Sequence, residues 1–188
     1  MTRWWWVRHA PVPTAEGRIL GCLDWDAETG DAARFARLAE RLPPGAALIE
    51  SGLARCRQTA DALRRAGMAL PPARIEPDLR EQDFGHWQGL AWGEAAGPDD
   101  PFWADPAGTA PPGGESFAAV MRRVKAALDR HEQDEGDIIV IAHAGPIRAA
   151  VARALDLTPS AALRLVVDPL SITRVDGGGR VLGLNWAG

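Results

Sequence analysis

Short continuous apolar runs alternate along the chain with stretches of helical spacing. Residues 4–7, 47–49 and 138–142 form such runs, the last of them in a predicted strand over 137–142. These runs are too short for ordinary helices and fit strands buried on both faces of a sheet. Apolar residues recur every three or four positions over 31–42 and from 115 to about 135, which predicts helices packed on that sheet. This alternation predicts an α/β fold that begins with a βαβ unit.

Weaker signals complete the predicted order of elements. A turn at 50–52 leads into a helix that carries Arg55. Gly145 and Pro146 begin a later helix, because proline suits the first turn of a helix. Further strands are predicted at 74–76, 163–167, 172–175 and 181–185, with the last two joined by a glycine turn at 177–179.

The segment 90–114 is crowded with proline and glycine and contains Trp92, Phe102 and Trp103. Its composition predicts a loop without regular structure. Long loops in compact domains commonly act as lids or binding loops. We therefore expect 90–114 to cover a functional site, and the alternative is a disordered insertion without a function.

Composition narrows the class of protein. A chain of 188 residues with a formal charge of −4 is expected to form a single domain over residues 1–188. Its basic residues are scattered, which disfavours nucleic acid as a partner. Cys22 and Cys56 predict free thiols in a reducing compartment. Only four apolar residues follow Arg3 in a row, so we expect a soluble, cytoplasmic protein without a membrane span. The oligomeric state stays open.

Two of the predicted strands end on histidine. Arg8 and His9 close the first strand, His143 closes the most apolar one, and small residues and a proline follow each histidine. Ligands bind at the carboxyl ends of strands in open α/β sheets. Both imidazoles are therefore expected at one crevice, together with Arg8 and the helix-borne Arg55. Two guanidinium groups beside two imidazoles suit a dianion such as a phosphoryl group.

Five blocks of sequence resemble the histidine phosphatase superfamily, in the phosphoglycerate mutase-like branch that also contains α-ribazole phosphatase. The blocks follow the family's order and span most of the chain: Val7-Arg8-His9-Ala10, residues 51–60, residues 79–89, residues 112–116 and residues 142–148. One Arg-His pair would mean little, but five blocks in register make the resemblance specific. It implies a single-domain, three-layer α-β-α sandwich with a mostly parallel mixed sheet.

The resemblance also implies roles for individual side chains. His9 would attack phosphorus and carry the phosphoryl group, and Glu81 would protonate the leaving alkoxide. Arg8, Arg55 and His143 would hold the phosphoryl oxygens. The further substrate-binding candidates are Trp87, Trp103 and Ala144. No metal and no cofactor is implied.

Elementary chemistry agrees with these roles. As a nucleophile, His9 must be neutral with one ring nitrogen free, so an acceptor such as a backbone carbonyl must hold the other N–H. Nearby arginines would lower the imidazole pKa. Glu81 must instead keep its proton near neutrality, and burial beside Phe84 and Trp87 would raise its pKa. His86 and His131 are interpreted as structural or solvent-facing.

The chain departs from the family pattern at four positions near the predicted site. Ala10 and Ala144 stand where the family has glycine, Pro11 replaces an acidic or polar residue, and Ala15 stands where mutases carry an asparagine. An added methyl group crowds the backbone, and proline removes an N–H donor. These changes are expected to affect the affinity of the site for phosphate and its ability to catalyse a mutase reaction.

The favoured function is a metal-independent phosphomonoesterase that acts on a small phosphorylated metabolite through a phosphohistidine, with α-ribazole phosphate or a sugar phosphate among the candidates. A phosphoglycerate mutase is the second enzyme considered. A non-catalytic phospho-ligand-binding protein is a third interpretation, suggested by Ala10 and Ala15. A metallohydrolase that uses the four histidines is disfavoured, because no His/Asp/Glu pair has ligand spacing on one helix.

Overall fold

The computed structural model of the chain describes residues 1–187. Its strands are β1 (Thr2–Arg8), β2 (Ala47–Glu50), β3 (Arg74–Ile75), β4 (Gly136–Ala142), β5 (Ile172–Asp176) and β6 (Val181–Trp186). Its α-helices are α1 (Ala32–Arg41), α2 (Ala54–Arg65), α3 (Trp92–Ala95), α4 (Phe117–Arg130), α5 (Ala144–Leu155) and α6 (Pro159–Ala162).

The strands form one sheet in the order β3-β2-β4-β1-β5-β6. Strands β3, β2, β4 and β1 are parallel, whereas β5 is antiparallel to both β1 and β6. Strand β4 lies between β1 and β2. The βαβ unit of β1, α1 and β2 therefore joins two parallel strands that are separated in the sheet by one other strand. The predicted mixed, mostly parallel sheet is confirmed.

Helices cover both faces of the sheet, because side chains of the central strands point alternately to its two sides. On one face Trp6 of β1 and Val140 of β4 belong to a core that includes residues of α4 and α5. On the other face Val7 and Ile141 belong to a core built with α1 and α2. The three-layer arrangement is therefore confirmed.

One predicted strand is wrong, and the predicted end of one helix is wrong. Residues 163–167 form no strand; they follow α6 as a turn and an extended segment. Their alternation arises because Val167 is buried and Leu163 and Leu165 pack partly against the core, without a neighbouring strand. Helix α4 ends at Arg130, about five residues early, where the N–H of His131 bonds to the carbonyls of Leu128 and Asp129.

The segment 90–114 contains more regular structure than predicted. It includes the single turn of α3 and a 3-10 turn over Pro101–Ala104, whose start is capped by the Asp100 side chain accepting from Phe102 N. Phe102 packs in a small apolar cluster with Ile19, Trp87 and Ala96. This cluster anchors the segment to the chain that precedes α1. Across residues 1–187, no helix is long and apolar enough to cross a membrane.

Candidate active site

The ends of β1 and β4 bring the two histidines together. Arg8 pairs in register with Ala142, and the N–H of His9 donates to the Ala142 carbonyl over 2.9 Å. Because the two strands are parallel neighbours, the residues that follow them leave the sheet side by side. The imidazole centroids of His9 and His143 lie 5.0 Å apart.

The His9 ring is held as a neutral imidazole with one nitrogen free. Its Nδ1 lies 2.7 Å from the carbonyl oxygen of Ala10, which requires the proton on Nδ1. Its Nε2 has no hydrogen-bond partner among residues 1–187. Burial and then the positive charge of Arg55 lower the pKa of His9 well below 6.5. This is the state that a histidine nucleophile needs.

A short hydrogen-bond chain fixes the backbone that holds His9. The hydroxyl of Thr59 donates to the carbonyl of Arg55 over 2.7 Å and accepts from Ala10 N over 2.9 Å. The carbonyl of the same Ala10 then accepts from His9. Helix α2 therefore sets the position of the His9 ring, and the fully buried methyl group of Ala10 is accommodated.

Arg55 is fully buried at the start of α2. Its Nε donates to Nδ1 of His143 over 3.1 Å, and its terminal nitrogens donate to the carbonyls of Gly21 and Leu23 over 2.8 and 2.6 Å. Since Nδ1 accepts, the proton of His143 lies on Nε2, which is 2.8 Å from the hydroxyl oxygen of Ser51. Both ring nitrogens of His143 thus have protein partners, and neither is free in this arrangement for the predicted contact with a phosphoryl oxygen.

A pocket of about 180 Å³ opens at the strand ends, and Arg8, His9, Arg55 and Glu81 are among its lining residues. Arg8 Nη1 donates to the Val167 carbonyl over 2.6 Å, while Nε of Arg8 is buried without a partner in the described chain. A buried donor without an acceptor is costly unless a ligand supplies one. The pocket therefore has the positive charge that an anion requires, and Arg8 keeps one buried donor unpaired beside it.

Glu81 also lines this pocket and follows the 3-10 turn over Pro77–Leu79. Its Oε1 accepts from the N–H of Gly145 and from Gln82 N, each over 3.0 Å. Its Oε2 has no protein partner within residues 1–187. The side chain is half-buried, so one oxygen is fixed and the other is available to a ligand.

A second pocket of about 240 Å³ adjoins the first and shares Glu81, Phe84 and Trp92 with it. Its other walls include Phe102 and Trp103. The insertion thus supplies aromatic side chains to the space beside Glu81, as the sequence predicts for a covering segment.

The three predicted substrate-binding residues occupy different places. Trp103 is 44% exposed and lines the aromatic pocket. Trp87 is only 6% exposed and packs edge-on against Phe102 at 5.0 Å, and it lines neither pocket as described over residues 1–187. Trp87 therefore supports the aromatic wall from behind and does not bury Glu81 as predicted. Ala144 is buried at the first turn of α5.

The remaining histidines do not line the phosphate-sized pocket, whereas both thiols contact residues of the site. His131 contacts Glu76 at 3.4 Å and Asp134 at 3.1 Å, and His86 is exposed. The four histidines are not brought together, and residues 1–187 contain no group of three or more metal-ligating side chains. Both thiols are free, and burial raises the pKa of Cys56 to about 12, which keeps that thiol protonated.

Several residues of the site have no clear sequence signal. Arg123 of α4 donates to the carbonyls of Asp78, Arg80 and Glu81, and it thereby fixes the segment that carries the Glu81 carboxylate. A Cβ at Gly145 would lie too close to Oε1 of Glu81, so a larger residue there would displace the carboxylate from its present position. The one sequence signal for the close approach of Glu81 to α5 is the pair of small residues before Pro146.

Known proteins share this architecture. The statistical description of the Histidine phosphatase superfamily (branch 1) matches residues 4–186. A metal-independent phosphoserine phosphatase of Arabidopsis thaliana is 33% identical over 159 residues, which cover 78% of this chain and 66% of that protein. A bifunctional protein of Mycobacterium tuberculosis is 36% identical over 152 residues, which cover 76% of this chain. The matched region is 41% of that relative, so this chain spans about two fifths of its length.

A solved structure agrees over the whole fold. The mycobacterial glucosyl-3-phosphoglycerate phosphatase superposes with a TM-score of 0.81 at 25% identity, and the match covers 99% of each chain. The family match likewise runs from residue 4 within β1 to the end of β6. On both grounds, this chain belongs to branch 1 of the histidine phosphatase superfamily.

Proposed function

We propose that this protein is a metal-independent phosphomonoesterase that forms a phosphohistidine on His9. The observation that carries the proposal is the state of that ring: Nδ1 is held by the Ala10 carbonyl, Nε2 is free, and burial with Arg55 keeps the pKa low. A neutral imidazole beside two guanidinium groups is equipped to attack a phosphoryl dianion.

In the first step the lone pair of His9 Nε2 attacks phosphorus, and an N–P bond forms as the bond from phosphorus to the leaving oxygen breaks. The Oε2 of Glu81 gives its proton to that oxygen, so the product leaves as an alcohol. In the second step a water attacks phosphorus and gives a proton back to Glu81. The N–P bond then breaks, inorganic phosphate leaves and His9 is neutral again.

Fixed positive charge stabilises the transferring group in both steps. Arg8 and Arg55 line the pocket beside His9, and arginine presents several N–H donors to equatorial phosphoryl oxygens. Nδ1 of His143 accepts a hydrogen bond from Nε of Arg55 and so holds the guanidinium group in position. We assign His143 to the oxygen-binding group together with the backbone at Ala144, a role that requires its Nε2 to turn from Ser51 towards the ligand.

The substrate is proposed to be a small phosphorylated metabolite, with α-ribazole phosphate or a sugar phosphate among the candidates. Named relatives that act on phosphoserine and on glucosyl-3-phosphoglycerate support this class. We propose that residues 90–114 act as the lid over the leaving group. Two free thiols fit a reducing compartment and hence a cytoplasmic reaction.

A screen of phosphorylated metabolites tests the proposed function. The purified protein should release inorganic phosphate from a subset of the esters, and EDTA should leave the rates unchanged. A mutase would instead move the phosphoryl group within or between metabolites without releasing phosphate. Binding of esters without release or transfer would support the non-catalytic alternative and contradict the proposal.

Trp103→Ala should change which esters are preferred. Trp103 lies at the wall of the aromatic pocket and forms no part of the phosphoryl pocket as described, so its ring contacts the leaving group. We expect the ratio of kcat/KM for aryl over small alkyl esters to fall roughly ten-fold. Trp186→Ala, at an equally exposed indole on β6, should leave that ratio unchanged. Unchanged selectivity in both variants would contradict a lid role.

A further inference from the structure

The two adjoining pockets fix where the scissile bond of a substrate lies. Glu81 lines both of them, and a general acid must reach the leaving oxygen within hydrogen-bond distance. On the proposed function, phosphorus therefore sits with His9 and Arg8, and the leaving group extends past Glu81 into the aromatic pocket. Residues that line only the second pocket therefore contact only the leaving group.

Arg148 of α5 lines the aromatic pocket together with Glu81, Phe84 and Gly145. Its Nε donates to the carbonyl of Leu165 over 2.8 Å, which anchors the guanidinium group. Its two terminal nitrogens have no hydrogen-bond partner and no ion pair among residues 1–187. A half-buried cation with four unpaired N–H donors thus lines a mostly apolar pocket.

When Glu81 is protonated, no carboxylate that lines either pocket in the described chain balances the charge of Arg148. Glu81 is the one carboxylate that lines either pocket in the described chain, and three further arginines, Arg8, Arg18 and Arg55, line the phosphoryl pocket. A general acid that enters the reaction protonated carries no charge, so Glu81 then offsets none of these cations. The phosphoryl dianion accounts for Arg8 and Arg55 but does not reach the leaving-group side.

We propose that Arg148 is a specificity residue that pairs with a carboxylate on the leaving group of the substrate. A guanidinium fork matches a carboxylate in two parallel hydrogen bonds, and the aromatic walls exclude the water that would otherwise screen the pair. The substrate class is then a phosphate monoester whose alcohol carries an acidic group, and a neutral alcohol leaves the Arg148 donors unpaired. This inference rests on the proposed function.

Matched pairs of aryl esters test the assignment. The 2-, 3- and 4-carboxyphenyl phosphates are each compared with the corresponding carbamoylphenyl phosphate, which has a similar shape but no charge. We expect at least one carboxylate to exceed its amide partner about ten-fold or more in kcat/KM. Arg148→Gln should bring that ratio close to one, and Arg148→Lys should retain part of it because the charge remains without the planar fork.

The ratio of two substrates in one variant cancels a general loss of folded protein. Arg164→Gln, an exposed arginine in the neighbouring turn, should keep the parental ratio. The inference is overturned if no carboxylate is preferred by the parent although the amides are hydrolysed, or if the preference persists in Arg148→Gln. If the parent releases phosphate from none of these esters or the screened metabolites, the proposed function itself fails, and the two failures are therefore distinguishable.

Discussion

His9→Ala is expected to lower kcat by about 10⁴-fold or more, because the variant lacks the nitrogen that attacks phosphorus. Loss of a nucleophile removes most of the rate enhancement in enzymes with a covalent intermediate, and binding and fixed charge leave a residue of activity. The measurement is inorganic phosphate release, together with a reaction of ³²P-labelled ester that is quenched in alkaline SDS, which preserves a phosphohistidine. The parent should yield an acid-labile, base-stable phosphoprotein, and the variant should yield none.

His86→Ala is the matched control for this result, because His86 is exposed and lies outside the pocket. It should show the parental rate and the parental phosphoprotein. His9→Gln is a second variant that fills more of the buried site than alanine does, so a loss of activity in both variants is not explained by a folding defect. Phosphohistidine in either His9 variant would place the nucleophile elsewhere, and the mechanism proposed above would be wrong.

Glu81→Gln should slow the phosphorylation step by about 10²–10⁴-fold for alkyl phosphates, the range typical of a lost general acid. The loss should be below about ten-fold for 4-nitrophenyl phosphate, because nitrophenolate departs without a proton. The amide keeps an oxygen that can accept from Gly145 N and Gln82 N, so the local structure is expected to persist. Rapid mixing under single-turnover conditions measures this step directly.

The same variant should accumulate phosphoenzyme with 4-nitrophenyl phosphate, since Glu81 also takes the proton from the attacking water. A burst of nitrophenolate followed by slow turnover is the expected trace. Glu40→Gln, an exposed carboxylate on α1, should behave as the parent with both esters. Equal losses of the phosphorylation rate for alkyl and nitrophenyl esters would argue that Glu81 acts in some way other than proton transfer.

The convergence of Arg8, His9 and His143 was predictable because it depends on strand ends, which apolar runs mark well. Strands β1 and β4 are parallel neighbours, so their final residues meet at one edge whatever the intervening 127 positions do. The position of Arg55 is predictable for a similar reason, since Arg55 lies in the first turn of the helix that follows β2.

Other features differ from the sequence prediction because the same local pattern of apolar residues fits two different structures. Residues 163–167 alternate in burial like a strand, yet their carbonyls serve as acceptors for side chains of the site: Leu165 O for Arg148 and Val167 O for Arg8. Trp87 was expected to bury Glu81 but packs behind Phe102. In both cases the sequence correctly predicts that apolar side chains are buried or partly buried, but it does not identify the residues they pack against.

By itself, the sequence determined the class of fold, the order of the elements and the family, because periodicity and short motifs are local properties of the chain. Only the tertiary structure decided which nitrogen of His9 is free, that His143 binds Arg55 and Ser51, and that Arg148 lines the aromatic pocket. These facts depend on contacts between residues 88 and 92 positions apart for His143 and on which backbone carbonyls the fold leaves open. Such contacts have no signature in either partner's neighbouring sequence, since each is set by how whole elements pack.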